Sequence, residues 1–191
     1  MNRGVYTLAL RTLAPLIWLW MARRAKRAGG RWEIFSPERF GRPEPASQSP
    51  DNPVWVHAVS LGETRAALPL LNALLAQGLP VLLTHTTATG RAEGERLFKD
   101  AIAQGQLRQA WLPYDFPGAT RRFMAAHRPR CGLLMEREIW PNLLAAARQA
   151  FSALGAERQR PGQRVCGLGG KPGECQHHVF QPGRPDLSAG P

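Results

Sequence analysis

Residues 55–63 read Trp55-Val56-His57-Ala58-Val59-Ser60-Leu61-Gly62-Glu63, and they decide the fold. Trp55 to Ala58 form the short apolar run expected of a buried strand. Val59 to Gly62 turn the chain. From Glu63 onward Ala66, Ala67, Leu70, Leu71, Leu74 and Leu75 recur at three- and four-residue spacing, which predicts a helix. Strand, glycine turn and helix together are the opening move of an α/β sheet, whose ligands bind at the mouth beyond the strand ends. Glu63 stands at that mouth, where a helix dipole favours an ionised carboxylate. Such a carboxylate within reach of a substrate hydroxyl is a general base. First-turn acids also commonly do no more than complement the dipole, and on this stretch alone both readings stand.

The same alternation continues on the C-terminal side. Apolar runs at 54–59, 81–85, 109–112 and 131–135 predict strands, and helical patterns fall at 63–77, 91–104, 117–127 and 140–150. Gly78-Leu79-Pro80 closes the first helix, and Pro117 and Pro141 suit first helical turns. Strands and helices alternating through short connections predict an α/β fold, a Rossmann-like parallel sheet with flanking helices. No GxGxxG follows a strand, so a dinucleotide site is not supported.

The loops after the strands should open on one edge. They bring together Ser60-Leu61-Gly62-Glu63, Thr86-Thr87-Ala88-Thr89-Gly90, Pro113-Tyr114-Asp115 and Glu136-Arg137-Glu138. Thr87, Thr89 and Gly90, at a helix start, suit hydrogen bonding to sugar hydroxyls or phosphates, although threonines are also ordinary caps. Glu136 and Glu138 beside Arg137 are either a self-pairing cluster or, opposite Glu63, the makings of a proton-handling site. His57 and His85 fall on strands and read as core or rim residues rather than metal ligands. No Ser-His-Asp or Cys-His set appears, and no metal or cofactor is expected. Cys131, Cys166 and Cys175 show no paired metal spacing, and an odd count without a regular framework fits a reducing compartment better than a disulfide scaffold.

Ahead of the sheet, residues 4–22 are mostly apolar with Arg11 in the middle, and Arg23, Arg24, Lys26, Arg27 and Arg31 follow at once. An uncleaved membrane anchor with its basic flank on the cytoplasmic side is expected over 1–31. The alternative is a helix packed on its own domain. Proline-rich residues 32–52 read as linker, 53–150 as the folded domain and 151–191 as an irregular tail. The 25 Lys and Arg against 14 Asp and Glu give a formal charge of +11, which suggests a polyanionic partner. Much of that charge adjoins the apolar segment and no nucleic-acid motif is present, so anionic lipid is expected and nucleic acid is not.

Four blocks in order, HAVSLGETRAALPLLNALL (57–75), THTTATGR (84–91), LPYDFPGATRRF (112–123) and MEREIWPNLLAAAR (135–148), resemble the 3-deoxy-D-manno-octulosonic acid (Kdo) transferases of lipopolysaccharide synthesis. The N-terminal apolar segment, the basic cluster and Glu38-Arg39-Phe40-Gly41 match too. The resemblance implies the N-terminal, acceptor-binding domain of a GT-B glycosyltransferase. It implies an inverting transfer of Kdo from CMP-Kdo to a lipid A precursor at the cytoplasmic face of the inner membrane. It makes Glu63 of the SxGE motif the base and Glu136 of the MExE motif a transition-state stabiliser. Glu138 supports the site, as do Ser60 and Gly62, the glycine letting the acceptor approach the backbone. Arg137 stands where the family has threonine, which changes the local charge.

Beyond 150 the resemblance stops. Residues 151–191 hold eight Gly and five Pro, a low-complexity composition. The family continues there with a donor-binding domain, so a frameshift or truncation near residue 150 is expected, with loss of transfer activity. The competing reading is a non-catalytic, membrane-associated acceptor-binding module.

Overall fold

The computed structural model describes residues 2–28, 32–43, 52–135 and 140–158. Four parallel strands form one sheet: β1 (Val54–His57), β2 (Val81–His85), β3 (Leu107–Trp111) and β4 (Cys131–Leu134). The spatial order is β3-β2-β1-β4, with Val54 of β1 registered on Val81 of β2 and on Cys131 of β4. This is the order in which a doubly wound sheet begins, and its reversal of direction falls between β1 and β4.

Every residue of β1 and β2 is buried, as expected for parallel strands covered on both faces. Alternation divides their side chains between two cores. Val54, Val56, Val81 and Leu83 meet Leu71, Phe98 and Leu107 on one face. Trp55 and Leu82 meet Phe123, Met124 and Leu143 on the other. The first face is covered by α2 (Leu61–Ala66), α3 (Leu68–Ala76), α4 (Ala88–Leu97) and α5 (Lys99–Ala103). The second is covered by α6 (Pro117–His127) and α7 (Pro141–Arg158).

Two expected helices are each divided. The helix expected over 63–77 breaks at Ala67, because Pro69 enters the first turn of α3 and has no N–H to continue the ladder of α2. The helix expected over 91–104 breaks at Phe98, whose φ of −116° leaves the helical range while its ring is buried in the core. Strand β2 and helix α6 have the expected limits.

Residues 32–43 are not linker. They carry a single 3-10 turn, Pro37–Phe40, capped by Ser36, and they pack on the domain. Glu38 accepts from the backbone N–H of Trp111 at 3.0 Å and pairs with Arg91 at 3.2 Å. Arg39, 1 % exposed, stacks on Trp111 and donates to the carbonyls of Trp32, Glu33 and Thr86. A buried guanidinium is tolerated because each of these acceptors replaces water. Nor does structure end at residue 150: α7 runs on to Arg158, with Phe151 against the second core. The remainder of the expected tail lies outside the described residues.

The N-terminal apolar segment is helix α1 (Arg3–Ala28), long and apolar enough to cross a membrane. One face of it packs on the domain, around Ala14 and Trp18.

Candidate functional site

The loop after β1 and the loop after β2 are bound to each other through one residue, Val59. Its carbonyl accepts the Thr87 hydroxyl at 2.7 Å and the Thr87 N–H at 3.2 Å. Its N–H donates to Glu63 Oε2 at 2.7 Å. The other carboxylate oxygen, Oε1, accepts the Ser60 hydroxyl at 2.8 Å, while Ser60 Oγ accepts the Glu63 N–H. Ser60 is thus the N-cap of α2 and Glu63 its third residue: the serine takes the Glu63 N–H, and the carboxylate reaches back past the N-cap to the Val59 N–H, a variant of the reciprocal cap. The dipole-complementing reading of Glu63 therefore has a definite geometry.

The cap does not exhaust the carboxylate. Each oxygen holds one donor and has a second lone pair. Glu63 and Ser60 are half-buried, and Gly62 beside them is exposed. Apart from its chain neighbours and its own helix backbone, a Cβ built on Gly62 meets only Ser60 Oγ, at 4.0 Å. The surface next to the carboxylate is open, and the carboxylate is held still by two donors, the condition for a positioned acid–base group.

Thr87 and Gly90 turn out to be structural in their direct contacts. Thr87 caps α4 by accepting the Gly90 N–H at 3.2 Å, so its hydroxyl is committed as donor and acceptor. Gly90 is buried, and a Cβ there would lie 2.9 Å from the Val59 carbonyl oxygen. Thr89 is exposed in the first turn of α4, and its hydroxyl donates to Thr87 at 3.3 Å. The pair of loops is backed by Thr64, whose hydroxyl donates to the Ser60 carbonyl at 2.8 Å, and by the Arg65–Glu93 pair at 2.7 Å joining α2 to α4.

Glu136 and Glu138 lie outside the described residues. The strand that leads to them is described: β4 pairs with β1, His57 against Leu134, and the Met135 N–H donates to the His57 carbonyl at 3.0 Å. The chain thus leaves β4 beside the end of β1. Asp115 goes elsewhere. It is buried and accepts the N–H groups of Asn142 and Leu143 at 3.1 and 2.7 Å, capping α7.

His57 and His85 are core residues. His57 Nδ1 lies 2.9 Å from the Thr84 hydroxyl, and His85 Nδ1 lies 2.9 Å from the Ala58 carbonyl, so His85 donates there. Burial pulls the His85 imidazole down to about 4. Among the described residues no group of three or more His, Cys, Asp or Glu could hold a metal ion.

Glu38 and Arg39 entered the sequence reading only as part of the resemblance, with no role; Arg39 donates to the Thr86 carbonyl, and Glu38 holds Arg91 and the Trp111 N–H. Ser36-Pro37 followed by Gly41 is a start-and-stop signature for one turn, and was the available signal. Among the described residues, two open clefts of about 680 and 460 Å³ run along α1 and α7, and Glu63 lines neither of them.

The family model described as 3-deoxy-D-manno-octulosonic-acid transferase matches residues 36–155. A 3-deoxy-D-manno-octulosonic acid transferase of Bordetella pertussis is 78 % identical over 149 residues, which are 78 % of this chain and 35 % of that protein. A probable mitochondrial one of Arabidopsis thaliana is 36 % identical over 148 residues, 75 % of this chain and 31 % of that protein. One of Haemophilus influenzae is 32 % identical over 146 residues, 75 % of this chain and 33 % of that protein. The chain spans about a third of the length of these curated relatives. With the family model covering most of its length and the described parallel sheet lying within that match, the chain belongs to the 3-deoxy-D-manno-octulosonic-acid transferase family.

Proposed function

We propose that this chain carries the acceptor side of an inverting GT-B transferase that moves Kdo from CMP-Kdo to a lipid A precursor in lipopolysaccharide biosynthesis. Glu63 takes the proton from the acceptor hydroxyl. The acceptor oxygen then bonds to the anomeric carbon of Kdo as the bond from that carbon to the CMP phosphate breaks. The electron pair leaves on CMP and the proton remains on Glu63. Gly62 admits the acceptor, and Ser60 keeps the carboxylate oriented. Thr89 offers its hydroxyl to a sugar or phosphate, while Thr87 and Gly90 set the shape of that loop. Glu136 stabilises charge in the transition state, with Glu138 in support.

The observation that carries this reading is the immobilised, half-buried Glu63 beside an open glycine surface, at the strand edge of a family member. The apolar body of α1 and the basic run that ends it support a place on the cytoplasmic side of the inner membrane, against anionic lipid. The test is a glutamine at the position matching Glu63 in the full-length Bordetella pertussis relative. Transfer should fall by about 10²–10⁴-fold, the usual worth of a general base, while lipid binding is kept. Unchanged turnover would refute the role.

A further inference from the structure

We propose that α1 attaches the chain to an anionic bilayer by lying in the plane of its surface rather than by crossing it. This rests on the membrane reading just given, and concerns how the helix sits.

Both halves of α1 are held by the domain. Near its start Thr7 and Asn142 exchange hydrogen bonds at 3.1 and 3.3 Å, with Tyr6 near enough to the buried Asp115 for its charge to act on the phenol. Ala14 is buried against the domain. Farther on, the Trp18 ring sits among Phe40, Tyr114 and Phe116, with centroids 5.7 to 6.1 Å away. From Tyr6 to Trp18 the helix advances about 18 Å. A hydrocarbon core is about 30 Å thick. A helix crossing it could not keep polar and aromatic contacts along that length with a domain whose helix α6, starting beside Trp18 at Phe116, exposes Arg121 and Arg122, unless the domain entered the lipid as well.

The opposite face is bare and apolar. Val5, Leu8, Leu16 and Trp20 are 62, 66, 64 and 59 % exposed. At about 100° per residue Leu16 points roughly opposite to Ala14. A helix apolar all round needs a cover on both sides: the domain supplies one, and acyl chains supply the other. Arg11 would sit near mid-membrane in a spanning helix, where a charge is expensive. Here it lines, with Arg3, Thr7 and Asn142, the open cleft of about 680 Å³ between α1 and the domain, at the level of lipid headgroups in the in-plane pose. The exposed Arg23, Arg24, Lys26 and Arg27 end the helix with a charge run complementary to an anionic surface.

The experiment places a single cysteine at either end of α1, N2C or R24C, in the 191-residue chain carrying C131S, C166S and C175S. Cells of a Gram-negative host are converted to spheroplasts and, separately, to inverted inner-membrane vesicles, and each is treated with a membrane-impermeant maleimide. The in-plane helix labels at both positions in inverted vesicles and at neither in spheroplasts. Labelling of position 2 only in spheroplasts and position 24 only in inverted vesicles would show a spanning helix and overturn the inference, leaving membrane attachment intact. A chain found in the soluble fraction would overturn the attachment itself. In a second measurement, L8E combined with L16E should lower partitioning onto phosphatidylethanolamine–phosphatidylglycerol vesicles at least tenfold without moving the thermal melting point. Unaltered partitioning would overturn the inference.

Discussion

Two acids follow strands on the same edge of this sheet, and each accepts hydrogen bonds at a helix start, yet they differ in everything else. Glu63 caps its own helix, takes one backbone N–H from Val59 and one side-chain hydroxyl from Ser60, and stays half-buried beside exposed Gly62. Asp115 caps a helix 26 residues farther along the chain, taking the N–H groups of Asn142 and Leu143, and it is 3 % exposed. Burial pushes the Asp115 carboxyl above its usual 3.8 in spite of those donors. A carboxylate that closes a local loop can remain available to a ligand. One that joins two distant elements is consumed by the fold.

Acid tests the frame on which both loops stand, with the largest expected effect. Burial holds the imidazoles of His85 and His127 down from 6.5 to about 4. Between those values the unfolded chain binds more protons than the folded one, so stability is complete above about pH 6.5 and is lost as pH falls toward 4. Each group contributes roughly 3 kcal/mol of loss. Asp115 acts with the opposite sign, since its raised carboxyl takes up a proton more readily in the folded chain. Denaturant midpoints measured from pH 7 to 4 should fall steeply, and a flat profile would show that the histidines are not buried neutral.

The next effect separates the two acids by role. The Glu63→Gln exchange in a full-length relative should cost the 10²–10⁴-fold in transfer expected of a lost base. Its stability should change by about 1 kcal/mol or less, because the amide keeps one of two cap contacts. Asp115→Ala should behave in reverse. It leaves two helix-start N–H groups without their acceptor in a buried place, at a cost of about 3 kcal/mol. Chemical denaturation of this chain measures that loss directly.

What the sequence made legible was whatever is local. Strand β2 and helix α6 were readable to the residue because Pro80 and Pro117 mark their starts. The position of Glu63 at a strand end followed from one turn. Pro69 carried the signal for the break at Ala67, but the leucine periodicity on both sides of it spoke for one helix. What stayed hidden depends on distant partners. Nothing near Glu38 announces Arg91, Arg108 or the Trp111 amide, so a proline-rich stretch looked like linker. Likewise Asp115 reads as a site acid until α7 is seen to start against it.

Glycines at the two coupled loops sharpen the contrast further. Gly90→Ala puts a methyl 2.9 Å from the Val59 carbonyl oxygen and 3.1 Å from the Ser60 carbonyl carbon, both backbone atoms that cannot swing aside. The loops must part, at a cost of about 1–3 kcal/mol, and a lower melting temperature for this chain checks it.

Gly62→Ala should give the smallest change in stability and the most telling pairing with function. Gly62 lies in the first turn of α2, and nothing but Ser60 Oγ, at 4.0 Å, is near its added methyl. Alanine there lowers the backbone entropy of the unfolded chain, so stability should stay level or rise by up to about 1 kcal/mol. The same methyl would stand 4.0 Å from the Ser60 Oγ that holds the Glu63 carboxylate, on the exposed surface assigned to the acceptor. In a full-length relative the matching exchange should therefore raise the KM for the lipid A precursor several-fold while the melting temperature holds or climbs. A protein weakened in acceptor binding but not in stability would tie the open surface to the substrate. If acceptor KM were unaltered, the glycine would be only a helix residue, and the acceptor would have to reach Glu63 from another side.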